Sequence, residues 1–459
     1  MRAGSARCGI IDGSEHDRAT IAGAEGQGRS RDMTTLRTAW PRRHVVVGLT
    51  ALAAIIAYTD RVNMSVAAVA MKEQFGWSQT EKGLVLSAFF AGYLLFLIAG
   101  GWLATRYGGK RVLGLAVLAW SALTLLTPVA ARTSLTCLIA ARIGMGVGEA
   151  ATFPASYELF SRWVPASERS RSVAIMLTGV PLGTLLGLLV TGWIIGHFAW
   201  PVAFLVFGVI GVMWVLVWFP TVHNDPYTDA RVGAAERALL PAQLQADSRH
   251  ATVPWRRLLM RLPVVAIAAA HFATTWSLYV LVSWLPSYFR EVQGLSIANA
   301  GLFSAAPWLA MIVVTNVGGS LSDLLIQRGL SVTATRKLMQ CTGLLLSAAF
   351  LVPMRDIHTS GIAELLICGA SGALGLCWSG ATTAIIDVAP RHSALLGAVS
   401  NTFATIPGIV GVAIVGWLID VTGTYSAAFV LTSLVSVIGA LVFGLLFDAQ
   451  PLADECAGS

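Results

Sequence analysis

The sequence predicts an all-α membrane protein of twelve transmembrane helices in two six-helix halves. Of its 459 residues, 56% are hydrophobic and only 12% charged, about half the charge of a soluble chain at roughly 25%. Twelve apolar runs, each of 17 or more residues, suffice or nearly suffice to cross roughly 30 Å of hydrocarbon at about 1.5 Å per residue. The runs fall six and six about a polar stretch at 220–262. Too little charge remains to cover the surfaces of soluble domains. A disordered chain, a secreted disulfide scaffold and a soluble nucleic-acid binder are excluded with them.

Residues 1–40 are polar and lack an apolar h-region, and they contain Asp12, Glu15, Asp17 and Glu25. A signal peptide needs the first feature and a transit peptide avoids the second. The stretch reads as a disordered cytoplasmic tail, or as sequence upstream of a true start at Met33. The first half covers 41–219, with apolar runs near 45–71, 83–104, 112–131, 135–159, 173–196 and 202–219. A cytoplasmic linker at 220–262 carries Pro220, Pro226, Pro241 and Pro254. The second half covers 263–448, with runs near 263–286, 298–325, 338–354, 362–386, 394–419 and 425–447, and 449–459 form a second cytoplasmic tail.

Basic residues orient the chain. With both termini inside, inner segments hold 19 Lys and Arg, including Arg42, Arg43, Arg162, Arg231, Arg336 and Lys337; the outer loops hold five, Lys72, Lys82, Arg132, Arg290 and Arg355. This is the positive-inside bias of a polytopic protein. The six cysteines, Cys8, Cys137, Cys341, Cys368, Cys377 and Cys456, lack metal-ligand spacing, and four lie in apolar runs as small hydrophobes. No metal or cofactor is expected.

Ionisable residues inside spans are expensive, roughly 2.5–3.5 kcal/mol each on insertion scales, and they mark pathways. Asp60 and Glu149 fall near the middle of the first and fourth runs. A buried acid whose exposure alternates is a natural proton carrier. Arg61 ends a polar stripe with Tyr58 and Ser65 at i, i+3 and i+7. Its planar fork suits a carboxylate or phosphate, with a structural pair to an acid on another helix as the alternative. Asp60 and Arg61 are neighbours and do not face each other. Arg142, seven residues from Glu149, is too far for a direct pair along one helix, about 10.5 Å.

Gly100-Gly101-Trp102-Leu103-Ala104-Thr105-Arg106 with Gly108-Gly109-Lys110-Arg111 recurs as Gly318-Gly319-Ser320-Leu321-Ser322-Asp323 with Arg328 and Arg336-Lys337. The repeat resembles the loop motif of the major facilitator superfamily, with Thr105 where the first copy usually has an acid. Further motifs are Tyr58-Thr59-Asp60-Arg61-Val62-Asn63, Gly146-Val147-Gly148-Glu149, Arg162-Trp163-Val164-Pro165, Ser283-Trp284-Leu285-Pro286 and Asp387-Val388-Ala389-Pro390-Arg391. Together they resemble its anion:cation symporter family: bacterial sugar-acid and aromatic-acid importers, organellar phosphate carriers, and vesicular glutamate and sialic-acid carriers.

The resemblance implies proton coupling at Asp60 and Glu149 and substrate binding at Arg61. By register it adds Tyr93, Ser379 and Asn401 as cavity groups beside Tyr58. Arg142, Arg106, Lys110, Arg111, Asp323 and Asp387 take gating or structural places. Leu86 stands where vesicular glutamate carriers have a histidine, and Thr274 where they have an arginine, which argues against that substrate. Gly179, Pro181, Gly183 and Gly187 permit close packing and only loosely resemble the antiporter pattern.

The expectation is a monomeric, non-enzymatic importer of an organic anion, such as a sugar acid, by proton symport in a bacterial cytoplasmic membrane. Its rival is a proton- or sodium-coupled phosphate carrier. A membrane sensor or enzyme is disfavoured, since no nucleophile–base set, metal cluster or output domain is visible.

Overall fold

A computed structural model describes residues 40–240, 260–357, 359–389 and 393–450. Expectations for most of the two tails, a start at Met33, Arg391 and the linker from 241 to 259 lie outside these residues. Twelve helices are long and apolar enough to span a membrane. In chain order these spans are Arg42–Phe75, Gln79–Tyr107, Gly109–Thr133, Leu135–Trp163, Ala166–His197 and Pro201–Thr221. After the linker come Leu262–Glu291, Ile297–Gln327, Val332–Asp356, Ser360–Val388, Leu396–Thr422 and Ser426–Leu446. No strand occurs among the described residues.

Polar side chains cap the starts of four spans. Ser78 and Glu81 form a reciprocal capping box at the start of the second span, while Ser134, Ser296 and Ser331 cap the fourth, eighth and ninth. Gly76, at φ 70°, ends the first span with its N–H on the Lys72 carbonyl. Gly108, at φ 84°, is the whole connection between the second and third spans. A Cβ there would collide with Asn224. The glycine pair of the loop motif is thus required by backbone and by space.

Two spans are broken, which their continuous apolar runs concealed. The fourth turns at Ala150–Ala151, just after Glu149. The tenth passes into a 3-10 segment at Gly375–Ser379 before resuming at Ala381.

Glycines set the close crossings. Gly179, Gly183 and Gly187 lie against the first span at Ala51, Ile55 and Thr59. Gly92 and Gly146 bring the second and fourth spans together, each where an added Cβ would strike the other helix's backbone. Between the halves, the fifth and eighth spans meet at Gly192 and Gly301, and the second and eleventh at Gly83 and Gly416.

These contacts between halves lie toward the end opposite the basic loops. There Arg290 pairs with Glu73 at 3.1 Å, and Asp420 accepts the Gln79 and Thr80 backbone N–H groups at 2.9 and 2.7 Å. None of the ion pairs among the described residues joins the halves at the basic end. The structure is therefore sealed at its outer end. Lys82, counted in an outer loop from sequence, instead sits inside the second span with its side chain buried.

The start of the linker docks on the first half. Glu236 accepts the Arg42 and Arg43 backbone N–H groups at 3.0 and 2.9 Å, occupying the positive end of the first helix. The Asp229 side chain, 1% exposed, pairs with Arg231 at 2.8 Å and Arg42 at 3.5 Å. Those cations hold its carboxyl down at about 2.

Candidate functional site

The site begins with the polar stripe of the first span. Tyr58, Arg61 and Ser65 all line one internal cavity of about 40 Å³, together with Arg142 and Thr184. Its opposite wall is Tyr279, Ser283 and Trp308 from the second half. Helical spacing alone put Tyr58, Arg61 and Ser65 on one face, and the fold places that face at the junction of the halves.

Arg61 does not stand free. Its Nη2 and Nε donate to Glu149 Oε2 at 3.0 and 3.3 Å, and the Glu149 side chain is fully buried. Three rings surround the guanidinium, with centroids at 4.3 Å for Tyr58, 4.7 Å for Phe89 and 5.1 Å for Tyr93. Rings at these distances attract a cation, more so once desolvated. Glu149 Oε1 has no hydrogen-bond partner. The glycines beside Glu149 and the turn after it let the fourth span approach close enough for the pair.

Asp60 does not line that cavity, although Glu149 and Arg142 lie close enough to act on its charge. It is buried, with both oxygens unpartnered, and faces Trp120 and Thr124 of the third span. Neighbours on a helix diverge by about 100°, so turning Arg61 to the cavity sends Asp60 into the first half. Arg142 lines the cavity, lies 5.2 Å from the Phe89 ring, and reaches the Met145 sulfur at 3.8 Å. It makes no ion pair with Glu149, as the spacing required.

Two register-based cavity residues are displaced. Ser379 gives its carbonyl to Arg336 at 3.2 Å, in a cluster where Arg336 also pairs with Asp387 at 2.7 Å and Ser322 at 2.9 Å. The break in the tenth span invalidates a register counted along a continuous helix. Asn401 is exposed and lies seven residues, about 10.5 Å, inward of Gly408, which packs on Phe90 at the cavity. Tyr93 sits behind the cavity wall, stacked on Phe89.

Arg106 lies over Trp102 and Tyr107, each 5.9 Å away. Lys110 is held by its backbone, to Asn224 at 2.9 Å and Trp218 at 2.9 Å. Arg111 and Asp323 are exposed. His271 is packed between Thr382 and Ser400 hydroxyls. Among the described residues no group of His, Cys, Asp and Glu could hold a metal ion.

Sequence reading missed Tyr279, Thr184 and Trp308. The only signal for Tyr279 and Trp308 is that the facing half must supply a wall, which a single sequence does not register; Thr184 belongs to the fifth span of the first half.

The family profile of the Major Facilitator Superfamily matches residues 50–411. The chain belongs to that superfamily. It is 36% identical to the probable anion transporter 1, chloroplastic, of Oryza sativa subsp. japonica over 97% of this chain and 82% of that one. It is also 36% identical to the sodium-dependent phosphate transport protein 1, chloroplastic, of Arabidopsis thaliana, over 90% and 81%. A third relative, the Arabidopsis thaliana ascorbate transporter, chloroplastic, is 35% identical over 90% and 76%. These relatives place the chain in the superfamily's anion:cation symporter family.

In fold, it matches the crystal structure of a bacterial homologue of the human lysosomal transporter Spinster, inward-facing and unoccupied. The TM-score is 0.74 at 18% identity, over 89% of this chain and 97% of that one. A D-xylose–proton symporter structure matches with a TM-score of 0.71 at 14% identity, over 89% and 99%. The protein is a multi-pass membrane transporter, and not an enzyme.

Proposed function

We propose that this transporter imports a small organic anion, a sugar acid or other carboxylate, together with protons by alternating access. The observation that carries the reading is the Arg61–Glu149 pair on the wall of a cavity built by both halves. Arg61 is a fixed cation of the site, and its fork can bind a carboxylate in bidentate fashion. Glu149 occupies that fork when no substrate is present. A proton on Glu149 releases the guanidinium for the substrate carboxylate, so the two ligands favour the same state.

Asp60, whose oxygens have no partner, is the second proton site. A proton there removes the cost of an unpaired buried charge. Tyr58, Thr184, Ser283 and Trp308 offer groups to substrate hydroxyls. Tyr93 orients Arg61, and Arg142 tunes the field beside it. Arg106, Lys110, Arg111 and Asp323 belong to the inner mouth, which closes in the opposite state. Arg336 and Asp387 hold the second half rigid there. One chain supplies both cavity walls, which supports a monomer. Both termini lie on the basic, cytoplasmic side of a bacterial cytoplasmic membrane in this reading; the chloroplast location belongs to the relatives.

A phosphate carrier is the second reading, favoured by the sodium-dependent phosphate relative. Against it stands the aromatic lining of Tyr58, Phe90, Tyr279 and Trp308, which suits an organic body better than a fully hydrated oxyanion. Uptake into proteoliposomes separates the readings. Galactonate, glucarate, hydroxyphenylacetate, ascorbate and phosphate are competed under an imposed pH gradient and then a sodium gradient. Accumulation of a carboxylate driven by the pH gradient is expected; accumulation of phosphate alone, driven by sodium, overturns the reading.

A further inference from the structure

At the sealed outer end, a carboxylate of the second half sits in a cradle built largely by the first. Glu291 Oε1 accepts from Lys82 Nζ at 3.1 Å and Lys72 Nζ at 3.2 Å. Its Oε2 accepts from the Gln79 amide and, at 3.0 Å, from the Tyr425 hydroxyl. Lys82 is fully buried, 4.6 Å from the Trp284 ring centroid and 2.9 Å from Ser287 Oγ. Three of the four donors on this carboxylate, Lys72, Gln79 and Lys82, belong to the first half.

We propose that Lys72, Gln79 and Lys82 form an anion-docking site at the outer mouth, filled by Glu291 in this closed state and opened to an incoming small oxyanion when the halves part. The inference rests on the alternating-access reading. Both carboxylates that balance this face, Glu291 and Asp420, are carried by the second half and leave with it. Two lysines, an amide and the N–H groups starting the second span stay behind, a set that favours anions. Glu81 does not replace the lost acids, because its carboxylate is used in the cap on the Ser78 N–H at 2.9 Å. Glu73 is adjacent to Lys72 on the helix and diverges from it; its side chain already projects to the surface. The closed state is thus an anion site occupied by the protein's own anion. It directs carboxylates and phosphates to the path toward Arg61.

The experiment reads local charge and needs no knowledge of the transported anion, so its failure is separable from failure of the transport reading. In a cysteine-free background, Gln79→Cys is labelled from the outer side by an anionic sulfonatoethyl and a cationic trimethylammonium thiosulfonate. Two nearby lysines make the anionic reagent the faster one, and Lys82→Gln lowers the anionic-to-cationic rate ratio roughly tenfold. Lys72→Gln lowers it as well, and Lys82→Arg preserves it. Glu291→Gln speeds labelling by both reagents and keeps the ratio high.

A simple latch predicts the reverse for Lys82→Gln: both rates rise together and the ratio stays fixed. That result overturns the proposal. So does failure of either reagent to label Gln79→Cys in the Glu291→Gln protein. If Lys82→Gln does not fold, the Lys72→Gln ratio decides alone, an unchanged value counting against the site.

Discussion

Glu149 Oε2 takes both the Nε and the Nη2 of Arg61, from a helix 88 positions away in sequence. Its Oε1 has no partner. The carboxylate is therefore half satisfied, which leaves room for a proton without breaking a second bond. Glu149→Gln is expected to abolish proton-driven accumulation while counterflow exchange of the same anion persists. An amide cannot carry the proton, and like the protonated acid it leaves Arg61 free for the substrate. Accumulation against a gradient by Glu149→Gln would remove Glu149 from the coupling role.

Arg61→Lys tests the fork against the bare charge. Lysine keeps the cation but loses the two-pronged contact to Glu149 and the guanidinium's contact with the Tyr58, Phe89 and Tyr93 rings. We expect a loss of transport efficiency of about a hundredfold, the equivalent of about 2.7 kcal/mol, with the protein still folded. Arg61→Ala leaves Glu149 buried and unpaired, and its thermal midpoint should fall with a cost of about 3–5 kcal/mol. Wild-type transport by Arg61→Lys would reduce the arginine to an electrostatic counterweight.

How much of this was visible beforehand follows from the range of each interaction. The twelve spans and the Tyr58–Arg61–Ser65 face are local periodicities, and both were legible. The pairing of Arg61 with Glu149 is tertiary, so sequence offered only an acid and a base on different helices. Ser379 and Asn401 were placed in the cavity by counting along helices. The break at Gly375–Ser379 leaves no mark in hydropathy because every residue near it is small or apolar. Lys82 was misread for the opposite reason: one charge at the edge of an apolar run looks like a loop until a partner from the other half covers it.

The crossing of the second and fourth spans sets the position of Glu149. A Cβ at Gly146 would collide with the Phe89 carbonyl, and one at Gly92 with the Ile143 carbonyl. Gly146→Ala should therefore push the fourth span outward and lengthen the Glu149–Arg61 contact. The expected result is a lower thermal midpoint, with overpacking costing about 1–3 kcal/mol, and transport reduced more than expression. An unchanged midpoint and full transport would show that the crossing can relax without moving Glu149.

The linker offers a prediction in pH. Asp229 lies outside the spans, and its carboxyl is held at about 2 by Arg231 and Arg42, below the ordinary value of about 3.9. A depressed acid contributes stability that is fully present above its unfolded value and is lost as pH falls through its folded value. Docking of residues 222–240 should hold from neutral pH to about 4 and weaken between about 4 and 2. Amide exchange in this segment, followed across that window, reads the release directly. Asp229→Asn should show fast exchange already at pH 7 and flatten the acid dependence. Slow exchange in Asp229→Asn at pH 7 would mean that Glu236, on the N–H groups of Arg42 and Arg43, holds the linker without it.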